Sequence, residues 1–143
     1  MGLDIYLTAH HYIPHNKPNK INAIKKLCPC MPVTPSAIEF DVCYWRKANA
    51  IHHWFVQHIQ GGVDDCKTYD VSVQSLQELV RLCEKVRWDG ALAPSLLPTQ
   101  SGFFFGNVEY GEAYMADLEH TIKTLTPLIT LKNTLWFSYH SSW

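Results

Sequence analysis

Tyr44-Trp45-Arg46-Lys47-Ala48-Asn49-Ala50-Ile51-His52-His53-Trp54-Phe55-Val56-Gln57 is the stretch whose reading decides the fold. The residues leading into it alternate, with Ile38, Phe40, Val42 and Tyr44 on one parity and Glu39, Asp41, Cys43 and Trp45 on the other. That period of two predicts a strand over Ala37 to Trp45. From Arg46 to Gln60 the period changes to 3.6 residues, which places Ala48, Ile51, Phe55 and Ile59 on one stripe with His52 at its edge. Lys47, Trp54 and His58 fall along a flank, while His53, Gln57 and Gln60 face away. Gly61-Gly62 supplies the left-handed positions that end a helix.

On the N-terminal side, Leu3, Ile5 and Leu7 alternate with Asp4, Tyr6 and Thr8, giving a strand over Leu3 to Tyr12 with one buried face. Between the two strands, residues 13–35 hold Pro14, Pro18, Pro29, Pro32 and Pro35. Each proline removes a backbone donor and restricts its predecessor, so this segment reads as an irregular excursion with a short helix near Ile21 to Leu27. On the C-terminal side, Asp64-Asp65 makes an acidic turn before a short strand over Cys66 to Val71. Ser72 then caps a helix whose buried stripe is Leu76, Leu79, Val80, Cys83 and Val86, with Val71 and Leu76 as a hydrophobic staple.

Trp88 to Pro98 reads as a loop, and Phe103-Phe104-Phe105 stands between glycines. Adjacent residues of a strand point to opposite sides, so at least one of these rings is free for a pocket or an interface. Asn107 is expected to cap a helix from about Glu109 to Leu125, with Met115, Leu118, Ile122 and Leu125 inward and Pro127 bending or ending it. Leu135, Phe137 and Tyr139 mark a last strand over Leu135 to His140. Together these elements predict one α+β domain spanning 1–143. Its sheet is expected to be mixed or mostly antiparallel, with helices packed on one face and strands from both ends of the chain tied into it.

The 143 residues are 47% hydrophobic, enough for one core. Lys and Arg total 12 against 13 Asp and Glu, a net charge of -1, which argues against a general grip on duplex nucleic acid or a membrane surface. No apolar run approaches the ~20 residues of a bilayer span, and no secretory leader opens the sequence. Five dispersed cysteines do not read as a disulfide framework. A cytoplasmic protein with reduced thiols is expected.

The Tyr44 to Gln57 stretch also carries chemistry. Arg46 offers a planar fork for phosphate or carboxylate, Lys47 a mobile point charge, and Trp45 or Trp54 a face on which a planar base stacks. The bland alternative is a core Trp54 with surface cations. Gln100-Ser101-Gly102 followed by Phe104 reads either as a polar loop beside a stacking ring or as a tight turn before a buried strand. Asp64-Asp65-Cys66 with His52 or His53 suits a nucleophile or a metal, yet an acidic turn is the commoner use of such a run. Cys28-Pro29-Cys30 near His10, His11 and His15 lacks the two-residue spacing that lets paired thiolates close on zinc. No cofactor, metal site or catalytic set is expected.

Met1-Gly2-Leu3-Asp4-Ile5-Tyr6-Leu7, Tyr44 through His52, the Gly62 to Cys66 turn, and Leu97-Pro98-Thr99-Gln100-Ser101-Gly102-Phe103-Phe104-Phe105-Gly106 together resemble a family of small phage and prophage proteins of unassigned function. The resemblance covers most of the chain outside the proline-rich excursion and the last strand. It implies a bacterial-virus protein working in the host cytosol. In that setting the expected function is a sponge that sequesters a nucleotide-derived host immune signal without turnover. Trp45, Arg46, Lys47, His52, Gln100, Ser101 and Phe104 are its expected ligand contacts, and a homo-oligomer its natural form. The alternatives are an enzyme degrading such a nucleotide, with His52 as acid or base and Asp64 or Asp65 placing water or a metal, and an inhibitor that binds a host protein.

Overall fold

The computed structural model describes residues 2–131 and 135–143; Met1 of the N-terminal motif lies outside them. The fold is α+β. Strand β1 (Asp4–Tyr12) runs through the middle of a four-stranded sheet, flanked by β2 (Ala37–Arg46) and β4 (Leu135–Ser142), with β3 (Tyr69–Val71) beyond β4. Every neighbouring pair is antiparallel, so of the two expected sheet types the antiparallel one is present. β1 and β4 come from opposite ends of the chain and are neighbours.

The pleat sorts the side chains of β1. Leu3, Ile5, Leu7 and Ala9 are buried, while Tyr6, Thr8 and His10 point to the other face. Against the buried face lie α2 (Asn49–His58), α3 (Val73–Trp88) and α5 (Glu112–Thr130), which bring Ile51, Phe55, Leu79, Cys83, Leu118 and Leu125 into one apolar cluster with Trp45, Phe137 and Tyr139. Among the described residues the opposite face carries no helix. The α3 cap is as expected, with Ser72 Oγ accepting from the Ser75 N–H at 3.0 Å, and Val71 and Leu76 are both buried.

Several expected boundaries move for identifiable reasons. α2 begins three residues later than its periodicity indicates, because Lys47 takes a left-handed φ of 58° and separates strand from helix. Gln60, expected on the outer face, is buried, and its amide donates to the Asp65 carbonyl at 3.0 Å. The Cys66 to Val71 strand is formed only over Tyr69–Val71. Within Trp88 to Pro98, the Asp89 carboxylate caps a short 3-10 turn at Gly90–Leu92, and α4 (Ala93–Leu96) follows. Asn107 does not cap α5; its side chain accepts from the Glu109 N–H in a local turn, and Gly111 precedes the helix. Pro127 lies in the last turn of α5 without ending it; lacking an N–H, it cannot donate to the Lys123 carbonyl one turn before. In the excursion α1 (Pro18–Lys25) is anchored by Ile21, with Ile13 buried beside it, while Leu27, Met31 and Val33 remain exposed.

Burial divides the thiols. Desolvation pushes Cys43 and Cys83 up to about 12, so at neutral pH both are protonated and enclosed, whereas Cys28, Cys30 and Cys66 are exposed. Iodoacetamide on the native protein should therefore alkylate Cys28, Cys30 and Cys66 and spare Cys43 and Cys83 until denaturant is added. Peptide mass spectrometry reads the pattern, and early labelling of Cys83 would contradict this packing.

Candidate functional site

The junction between β2 and α2 is built by four segments meeting at Lys47 and Asn49. Lys47 donates its N–H to the Leu3 carbonyl at 2.7 Å, and its own carbonyl accepts from the Asn49 N–H at 2.9 Å. A left-handed backbone costs a side-chain-bearing residue about 1–2 kcal/mol, and Lys47 is the one non-glycine with positive φ among the described residues. Such strain persists where surrounding bonds over-determine it, often at functional sites. Two glycines make room for its stem. A Cβ on Gly2 would lie 3.2 Å from Lys47 Cε, and one on Gly106, which itself has φ +84°, 3.1 Å from Lys47 Cβ.

Asn49 is buried and staples the segment after α4 to the start of α2. Its Nδ2 donates to the carbonyls of Phe105 (3.0 Å) and Asn107 (2.8 Å), and its Oδ1 accepts from the Gln100 N–H (3.1 Å). Leu3 N–H adds a bond to the Phe104 carbonyl at 3.0 Å. Between this junction and α5 opens a cleft of about 210 Å³, walled by Arg46, Lys47, Thr99, Asn107, Glu109 and Asp117, with Tyr114 and Asn49 behind them. Arg46 and Lys47 are exposed, and neither takes part in an ion pair among the described residues. Asp117 is half-buried on α5, and burial pushes its carboxyl up to about 6 against a small opposing pull from His120.

Of the expected contacts, only Arg46 and Lys47 line this cleft. Trp45 does not, because it is 2% exposed and its indole N–H donates to Thr121 Oγ1 at 2.8 Å inside the core. It offers no free face for stacking. His52 is 0% exposed and fully committed: Nδ1 lies 2.6 Å from the Tyr139 hydroxyl and Nε2 3.1 Å from Asp64. Desolvation lowers its pKa, opposed by Asp64, so the neutral ring accepts from Tyr139 O–H and donates to the carboxylate. It is a structural link, reinforced by the Trp143 indole N–H donating to Asp64 at 3.2 Å.

Gln100 reaches His53 instead, its Oε1 3.1 Å from Nδ1, and Ser101 is exposed on the same loop away from the cleft wall. The three phenylalanines lie in a turn, not a strand, and it is the turn that separates their rings. Phe105 is buried with its ring edge-on to His52 at 5.2 Å, Phe104 is half-buried, and Phe103 is 95% exposed. Gly102 is obligatory here, since a Cβ would lie 2.7 Å from the Phe105 ring. Asp65 is taken up by Lys67, Tyr69 and Gln60, so the acidic turn is satisfied internally. Among the described residues no group of three or more His, Cys, Asp or Glu is placed to hold a metal, and no helix is long and apolar enough to cross a membrane.

Sequence reasoning missed Asn49, Thr99, Asn107 and Asp117. Asn49 had a local signal, a polar residue in the first turn of an otherwise inward-facing helix. Asp117 had none, because only the fold brings it to the cleft beside Thr99 and Asn107. Comparison with known proteins found no matching family model, no similar curated protein and no similar solved structure, so chemistry has to be read from the chain's own geometry.

The sign of the Asp117 shift gives a test. Its carboxyl ionises at 3.8 when unfolded and at about 6 when folded, so stability falls as pH rises through that window and the loss is complete above it. Asp117→Asn removes the charge at every pH. The variant should melt higher than the parent at pH 8, with the advantage vanishing toward pH 4. Thermal melts across that range decide the matter, and a difference independent of pH would show that no charge is being buried.

Proposed function

We propose that this protein binds a small anionic, nucleotide-derived ligand in the Arg46–Lys47 cleft and holds it without turnover, as a phage-encoded sponge for a host immune signal. The observation that carries the reading is a pair of cations that, among the described residues, take part in no ion pair, at the mouth of a polar cleft, one of them on a strained backbone bonded to Leu3 and Asn49. Arg46 meets a phosphate oxygen pair with its fork, and Lys47 adds charge. Thr99, Asn107, Glu109 and Asp117 supply hydroxyl, amide and carboxylate groups for the polar edge of a nucleoside.

At about 210 Å³ the cleft falls below the roughly 300–1,000 Å³ typical of pockets for drug-sized ligands. It therefore takes a phosphate and part of a nucleoside, and a second copy of the chain closing over the remainder suits the reading. The enzyme alternative draws no support from its expected parts, since His52 and Asp65 are occupied by internal bonds.

The test begins with calorimetry against a panel of mononucleotides and cyclic dinucleotides. A binder identified there should lose about 2–3 kcal/mol on Arg46→Ala, roughly 30- to 150-fold in Kd, with the melting temperature unchanged because Arg46 is exposed. The bound nucleotide should be released intact on heating, as read by mass spectrometry. Absence of binding across the panel would reject the function, and conversion of the nucleotide would reject the sponge.

A further inference from the structure

The helix-free face of the sheet has a chemistry of its own. Its outward residues follow from the register: Tyr6 lies between Tyr44 and His140, His10 between Glu39 and Trp136, and Thr8 between Asp41 and Ser138. The rings form two clusters. Tyr6 sits 5.4 Å from Tyr44 and 5.9 Å from His140, while His10 stacks on Trp136 at 5.1 Å with planes 12° apart. Tyr6 and Trp136 are each 41% exposed and Tyr44 46%, against 0–2% for Trp45, Phe137 and Tyr139 on the helix-covered face. These outward rings are not core.

Between the clusters lies a shallow hollow of about 560 Å³ whose charged lining residues are Glu39 and Asp41; among the described residues no lysine or arginine lines it. Asp70, paired with Ser138, extends the same face on β3. Glu39 is bridged to His10 Nδ1 at 3.2 Å, while Asp41 is in no ion pair among the described residues. This polarity selects the occupant. Phosphate chains and anionic lipid surfaces are repelled by the carboxylates. A second copy packed face to face would meet Glu39 and Asp41 with a lining that, among the described residues, offers no lysine or arginine to pair them. A basic partner meets carboxylates with its charges and ring faces with its guanidinium groups.

The spacing sets the partner's form. Tyr6 and His10 are four residues apart on one strand, about 14 Å at ~3.4 Å per residue. One side chain cannot serve both clusters, whereas an extended segment with basic residues about four positions apart does. We propose that this face is a docking site for an arginine-bearing extended segment of another protein, separate from the Arg46–Lys47 cleft and independent of what that cleft binds.

Fluorescence polarisation of the full chain with a labelled synthetic peptide carrying two arginines four positions apart in a Gly/Ser background tests it. The peptide should bind, and the double variant Glu39→Gln, Asp41→Asn should weaken binding at least tenfold, as should Tyr6→Ser. Both variants should keep the parent's circular dichroism, and Glu84→Gln on the exposed side of α3 should leave affinity unchanged. The same peptide with glutamates for arginines should not bind. Failure of the arginine peptide to bind, equal weakening by Glu84→Gln, or displacement by spermine at or below the peptide's own concentration would overturn the proposal. So would a dimer, seen by light scattering, that Tyr6→Ser dissociates.

Discussion

Three hydrogen bonds from one buried amide hold the architecture of the site in place. Asn49 pins the carbonyls of Phe105 and Asn107 with its NH2 and receives the Gln100 N–H with its oxygen. Each of these backbone groups lies in irregular chain with no ladder to satisfy it, and an unpaired buried group costs about 1–3 kcal/mol. The loop from Thr99 to Glu109 therefore takes its course from the first turn of α2. The same helix start is fixed to the sheet through Lys47 and Leu3. Cleft, loop and sheet edge form one connected unit, which is why Lys47 is held in a backbone conformation it would otherwise avoid.

A second polar network ties the C-terminal segment to α2. His52, in the middle of α2, bonds Tyr139 from β4 on one side and Asp64 on the other, and Trp143 donates to Asp64 from the last residue. Phe55 stacks on Tyr139 with ring centroids 4.1 Å apart, so the polar link runs beside an aromatic one. Neither ring nitrogen of His52 is free, and its charged form is disfavoured by burial. Networks in which every member is satisfied specify one arrangement of a core, while an unpaired member is expensive. His52 thus belongs to the reason α2 packs as it does, not to the surface that α2 presents.

The fold class, the order of the elements apart from the 3-10 turn and α4, and the cap of α3 were legible because they rest on local periodicity. Of the residues read from the sequence as ligand contacts, only the two cations line the candidate cleft. The misplacement of Trp45 has a specific cause in β2. There the register against β1 slips between Leu7 and Thr8, so that Cys43 faces Leu7 and Asp41 faces Thr8, with Val42 as the extra residue of a bulge. Asp41 and Tyr44 consequently share the outward face although they are an odd number of residues apart, and Trp45 turns inward. A single parity drawn from Ile38 to Trp45 misses this, because nothing in the local sequence marks Val42. His52 sat at the edge of its stripe on periodicity alone; its burial depends on Tyr139, 87 positions away.

The net charge of -1 conceals a segregated surface. Arg46 ends β2 beside Lys47 at the mouth of one cleft, while Glu39 and Asp41, on the same strand and the same outward face, border a hollow with no lysine or arginine in its lining among the described residues. The bulge at Val42 lies between them. By shifting parity it sets Tyr44 and Arg46 on the outward face along with Glu39 and Asp41, so that one strand presents carboxylates at one end and a guanidinium at the other. At physiological salt, charges separated by more than about 8 Å are largely screened from each other when exposed. Each end therefore acts on its own near field, and the small anion proposed for one end would not compete with the basic segment proposed for the other.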